Sequence, residues 1–139
     1  IVDEPTSGLD PAERRRFQNL LAEVSQDIVV ILSTHIVEDV AELCTRVAIM
    51  GQGRILQYGE PHALISTLRG KLWRTVVGRD EAEQLRRQAT VLSCRLRGGR
   101  MEVRAMASEQ PVGMVEATPD LEDVYFATLH QHALTANLE

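Results

Sequence analysis

Several things are scarce in this chain of 139 residues, and each scarcity closes off a class of protein. Long apolar runs are missing. The longest, Ile28 to Leu32, falls far short of the roughly 20 residues that a membrane-spanning helix needs. Cysteine occurs twice, as Cys44 and Cys94, far apart and at no metal-ligand spacing, which fits reduced thiols in the cytosol. Excess positive charge is missing: the net charge of −5 gives no reason to expect nucleic acid as a partner. The densest basic cluster, Arg14-Arg15-Arg16, falls where a helix face is expected to meet solvent. No signal peptide or initiator Met opens the chain, and Ile1 already lies inside a motif, so a piece of a longer protein is expected.

Lysine occurs once, at Lys71. A phosphate-cradling loop of the form G-x-x-x-x-G-K-[ST] needs glycine backbone, a lysine and a following hydroxyl. Gly70 does precede Lys71. However, Leu72 stands where the hydroxyl belongs, and Ile65 where the first glycine belongs. This is not a phosphate loop. No internal repeat or low-complexity stretch is present.

What is there is a soluble-type composition, 44% apolar, sufficient for one ordinary domain or two small ones. Ile1-Val2 reads as the tail of a buried strand. Asp10 is a good helix cap, with Pro11 at the first helical position and Glu13 three residues past the cap. Phe17, Leu20, Leu21 and Val24 form one apolar stripe, which should cover a sheet of several strands; only Ile1-Val2 and Ile28 to Leu32 of such a sheet are present, so the first half is expected to be marginal or to associate. Ile28 to Leu32 is an uninterrupted, mostly β-branched run, the pattern of a strand covered on both faces in a parallel sheet. Strand, helix and strand make a right-handed βαβ unit, which brings the carboxyl ends of both strands to one edge. A helix is expected over Val37 to Cys44, a hairpin over Arg46 to Met50 and Arg54 to Tyr58, and a helix from Pro61 to about Leu68.

Gly70 is a plausible boundary. Beyond it strands are expected over Lys71 to Val77, Val91 to Arg97, Arg100 to Met106 and Gly113 to Glu116. Helices are expected over Asp80 to Gln88 and from Pro119 to about His130, the last with Thr118 as its cap. The order β-α-β-β-β-α describes a small antiparallel sheet with helices, a reduced ferredoxin-like unit. The fold class is therefore α/β: part of a parallel-sheet core over residues 1–69, followed by a small α+β domain over 70–139.

The chemistry-bearing residues lie at the predicted strand ends. Nucleoside triphosphate hydrolysis needs a hard carboxylate to hold magnesium, directly or through water. It needs a group that orients the attacking water, and a donor aimed at the γ-phosphate. Asp3, Glu4 and His35 could fill these roles in that order.

The run Val2-Asp3-Glu4-Pro5-Thr6-Ser7-Gly8-Leu9-Asp10-Pro11 resembles the Walker B motif and D-loop of ATP-binding cassette (ABC) proteins, and Ser33-Thr34-His35 resembles their switch-histidine loop. Arg46-Val47-Ala48-Ile49-Met50 and Gly53 to Pro61 continue the match, so it covers about residues 1–69, the carboxyl-terminal part of a P-loop NTPase core. The resemblance implies that Asp3 holds magnesium through water, Glu4 is the catalytic base and His35 senses the γ-phosphate. It also implies that Ser7, Gly8 and Asp10 face a second cassette across an ATP sandwich dimer. ATP and Mg2+ are the implied cofactors of the whole protein. A second ABC ATPase subunit and an integral membrane permease are its implied partners, at the cytoplasmic face of the membrane. Ala117 to Phe126 resembles the segment that closes many bacterial exporter ATPases after an accessory domain. The family's Leu-Ser-Gly-Gly-Gln signature is missing here, as is the phosphate loop, so this chain alone is expected to be inactive. Two other classes remain in view: an ABC-type DNA repair ATPase, and a non-enzymatic regulatory or dimerisation module over 70–139. His130 and His132, two apart on a helix, point their rings in different directions and make a poor metal site.

Overall fold

A computed structural model describes residues 1–136 and shows a mixed α/β protein with several small sheets. The chain forms two compact units, one over Ile1–Thr45 and one from Arg46 onward. Compactness thus divides the chain earlier than the boundary near Gly70, which follows resemblance and the change of sequence pattern.

In the first unit, β1 (Val2–Asp3) pairs in parallel with β2 (Leu32–Ser33), Val2 opposite Leu32 and Asp3 opposite Ser33. Between them runs α1 (Pro11–Val24), and α2 (Val37–Leu43) follows β2. The start of α1 is fixed as its sequence predicts. Asp10 Oδ1 accepts the Ala12 and Glu13 amides at 2.8 and 2.9 Å, and Glu13 reaches back to the Asp10 amide at 3.3 Å. One expectation needs correction. The run Ile28 to Leu32 does not form a buried strand: only Leu32 enters a ladder, because a ladder extends no further than the segment opposite it. Ile28, Val29 and Ile31 are 60%, 90% and 57% exposed. The α1 stripe likewise has no fully buried residue.

The second unit opens with the antiparallel hairpin β3 (Val47–Gly51) and β4 (Arg54–Gly59). Gln52 and Gly53 have φ of 51° and 73°, the two left-handed residues of a tight hairpin turn whose twist matches the strands. Helix α3 (Pro61–Ser66) follows. Next come β5 (Leu72–Val77), α4 (Arg79–Gln88), β6 (Thr90–Arg97), β7 (Arg100–Met106), β8 (Val115–Glu116) and α5 (Leu121–Ala136). Strands β5 to β8 form one antiparallel sheet in the order β6-β7-β5-β8. The crossover through α4 leaves a gap beside β5, and β7 returns to fill it.

Helix α5 packs on β6 and also on α3, β3 and β4. Leu72 and Val103 are fully buried, with Ala105, Met114, Leu121 and Val124 close behind. A buried ion pair crosses this apolar packing. Arg104 on β7 donates to both carboxylate oxygens of Asp123 on α5, at 2.8 and 2.6 Å, and to the Thr118 carbonyl at 2.9 Å. Asp123 is 4% exposed at its side chain. It also accepts the Asp120 amide, while Asp120 accepts the Asp123 amide, each at 2.9 Å. The cap of α5 is therefore Asp120, not Thr118, whose carbonyl is taken by Arg104. No helix among the described residues is long and apolar enough to cross a membrane.

Candidate active site

The carboxyl ends of two parallel strands lie side by side, so whatever follows β1 meets whatever follows β2. Glu4 follows β1. Its backbone amide bonds to the Ser33 carbonyl at 2.7 Å, and its φ of 45° places it in the left-handed region that costs a non-glycine residue about 1–3 kcal/mol. That turn swings the side chain toward the segment after β2. There Glu4 Oε1 accepts the His35 amide at 2.9 Å, and Oε2 accepts the Thr34 hydroxyl at 3.1 Å and lies 2.9 Å from His35 Nδ1. Thr34 Oγ1 in turn accepts the Ile36 amide at 3.0 Å, which orders the entry to α2.

The hydrogen bond to the His35 ring is the main influence on the Glu4 carboxyl. With Thr34 and the His35 amide it holds that carboxyl below its ordinary value, against a smaller push upward from desolvation. Glu4 is thus an anion at neutral pH.

The remaining expected site residues are spread along the same edge. Asp3 is exposed at the end of β1. Ser7 and Gly8 are exposed in the loop, which Ser7 N to Glu4 O (3.2 Å) and Leu9 N to Thr6 O (3.3 Å) keep tight. Gly8 has a φ of 77°, which favours glycine. Asp10 spends its carboxylate on the α1 cap.

One residue that the sequence did not single out is central here. Asp39, in the first turn of α2, is 1% exposed. Its Oδ2 accepts the Thr6 hydroxyl. Its Oδ1 accepts Arg14 Nε at 2.8 Å, Arg14 Nη2 at 2.7 Å and Gln18 Nε2 at 3.0 Å. Burial pushes this carboxyl up. The Thr6 hydroxyl and the Arg14 guanidinium outweigh burial and leave it below its ordinary value. Arg14 is therefore not part of a solvated basic surface, unlike its exposed neighbours Arg15 and Arg16. The only trace of this in the sequence is spacing: Asp39 lies four residues past His35, and Arg14 four past Asp10.

The chain is similar to several curated proteins. A Nod factor export ATP-binding protein I of Rhizobium leguminosarum bv. viciae is 29% identical over 136 residues, covering 90% of this chain and 44% of the relative. The same-named protein of Cupriavidus metallidurans is 38% identical over 94 residues, 67% of this chain and 31% of the relative. A methionine import ATP-binding protein of Protochlamydia amoebophila is 44% identical over 62 residues, 43% of this chain and 18% of the relative. The chain belongs to the ABC family. It spans less than half the length of these ABC relatives. No family model matches it.

Among the described residues no group of three or more His, Cys, Asp or Glu side chains could hold a metal by itself. Magnesium keeps most of its waters and leans on one or two carboxylates plus substrate phosphates. An exposed Asp3 at a strand end fits that outer role and no tighter one.

Proposed function

We propose that this chain is the carboxyl-terminal part of the ATP-hydrolysing subunit of an exporter-type ABC transporter, whose permease is a separate membrane protein. The observation that carries this is the meeting of Glu4 and His35 at 2.9 Å beside Asp3, at the ends of two parallel strands. Asp3 would hold magnesium through water, and the metal, when bound, would neutralise charge developing on the phosphates. Glu4 would orient a water. His35, 77% exposed at its side chain, would turn its ring to a γ-phosphate oxygen. Ser7, Gly8 and Asp10 would lie on the loop facing a second cassette.

Export rather than import is favoured by extent. The match to a Nod factor export protein runs over 90% of the chain, whereas the match to a methionine import protein stops at 43%. Residues 70–139 are then an accessory domain of ferredoxin-like type, a description supported by the strand order β6-β7-β5-β8. The subunit would sit on the cytoplasmic face of the membrane. Because neither phosphate loop nor signature motif occurs in these 139 residues, the chain alone is inactive in this proposal. Steady-state ATP hydrolysis tests both statements. The 139-residue chain should show no magnesium-dependent turnover. In a protein that carries the whole cassette, Glu4→Gln should lower turnover by at least about a hundredfold while leaving ATP binding intact. Unchanged turnover in that variant would remove the hydrolytic assignment.

A further inference from the structure

We propose that Asp39 is the positioning residue of the Glu4–His35 pair, a buried carboxylate that holds together the two segments on which the pair is mounted. Three features lead to it. First, Thr6 lies two residues past Glu4, in the turn that Glu4's left-handed backbone begins. Such a conformation persists only where its surroundings over-determine it, and the Thr6 hydroxyl bonded to Asp39 is the buried tether of that turn. Second, Asp39 sits about one helical turn beyond His35, so the same carboxylate fixes the helix that begins just after the imidazole. Third, Arg14 and Gln18 bring α1 to the same oxygen, which supplies the countercharge that a buried carboxylate needs. Thr6 and Asp39 are the fully buried residues of the whole first unit, whose apolar side chains stay at least partly open to solvent. Polar bonding at Asp39, rather than hydrocarbon packing, sets the distance between the loop after β1 and the loop after β2.

Asp39 touches neither Glu4 nor His35 directly, and its role holds whatever molecule the pair acts upon. The test therefore uses no nucleotide. The readout is hydrogen exchange by NMR on the full chain, comparing the His35 amide, which is bonded to Glu4, with the Ser25 amide, which is bonded to Leu21 at the end of α1. Thr6→Val keeps the side-chain shape but removes the donor to Asp39. It should speed exchange at His35 by about tenfold, the worth of one hydrogen bond, and leave Ser25 unchanged. Thr6→Ser, which keeps the hydroxyl, should restore the wild-type rate. Asp39→Asn should act in the same direction and more strongly. If that variant does not fold, the Thr6 pair alone decides. Equal acceleration at His35 and Ser25 would reduce Asp39 to a general stabiliser and overturn the proposal, as would no change at His35. Loss of the ATPase assignment would leave both outcomes readable.

Discussion

The two units carry similar signals in sequence and solve burial in opposite ways. In the second, apolar stripes find partners: Leu72 and Val103 reach 0% exposure, and Leu121 and Val124 close the sheet from α5. In the first, α1 is capped as well as any helix in the molecule, yet Leu20 is 55% exposed and Val24 39%. Its fully buried side chains are a threonine and an aspartate. An amphipathic stripe is thus a demand for a partner and not a guarantee of one. Most helical stability comes from packing of the apolar face, so a helix without that packing leans on its cap and on polar anchors. The first unit is held in place chiefly by directional bonds, the second chiefly by excluded water.

That contrast is open to attack at several points. The largest effect is expected at the buried ion pair of the second unit. Arg104→Ala leaves Asp123 buried without its cation and should cost about 3 kcal/mol, at the low end for a broken buried pair. Trp73 is the chain's single tryptophan, and its indole donates to the Ala107 carbonyl at 3.0 Å, so its fluorescence in urea reads this unit alone. A loss well under 1 kcal/mol would mean that apolar packing carries the unit without Arg104.

Acid should separate the units by a smaller margin. The folded pKa of Asp39 lies below its ordinary 3.8, so its contribution is complete above that value and disappears as pH falls through the folded pKa. Asp120 has the opposite sign. Burial is the chief cause of its raised pKa, so its contribution is complete below 3.8 and is lost as pH rises through the folded value. On acidification the His35 amide, bonded to Glu4, should lose its exchange protection before Trp73 fluorescence moves. The reverse order would count against Asp39 as the anchor of the first unit. The smallest effect is expected at Leu20. If its exposure is the rule for α1, Leu20→Ala changes the stability read from exchange of the Ser25 amide at the end of α1 by no more than about 0.5 kcal/mol. A core-sized loss there would show that the stripe is covered in solution.

Much of this was legible in the residues themselves. Elements of the second unit follow from alternation in the strands, a stripe in the last helix and glycine pairs at the turns, because each signal there is local and the packing agrees with it. The approach of Glu4 to His35 follows from βαβ handedness and from strand ends sharing an edge. Ile28 to Leu32 misled because β-branched residues favour a pleated, half-buried surface, and propensity does not supply a neighbouring strand. The last helix was expected to be capped by Thr118; it starts at Leu121 instead, and Asp120 caps it because its Oδ1 accepts the Asp123 amide. Asp39 escaped notice because an acid in the first turn of a helix is ordinary in sequence. Its importance arises from Thr6, Arg14 and Gln18, which are distant in the chain and near in space.

Helix α5 has a consequence in time as well as in space. It braces the sheet through Asp123, and it reaches the β3–β4 hairpin through the Thr128 hydroxyl, 2.6 Å from Gln57 Oε1, and through Leu129, packed near Gly51. On a ribosome, everything that this helix clasps has already been synthesised before its first turn emerges. The second unit must wait for α5 before it can close, and until then the hairpin and sheet offer sticky, half-finished surfaces to any chaperone nearby.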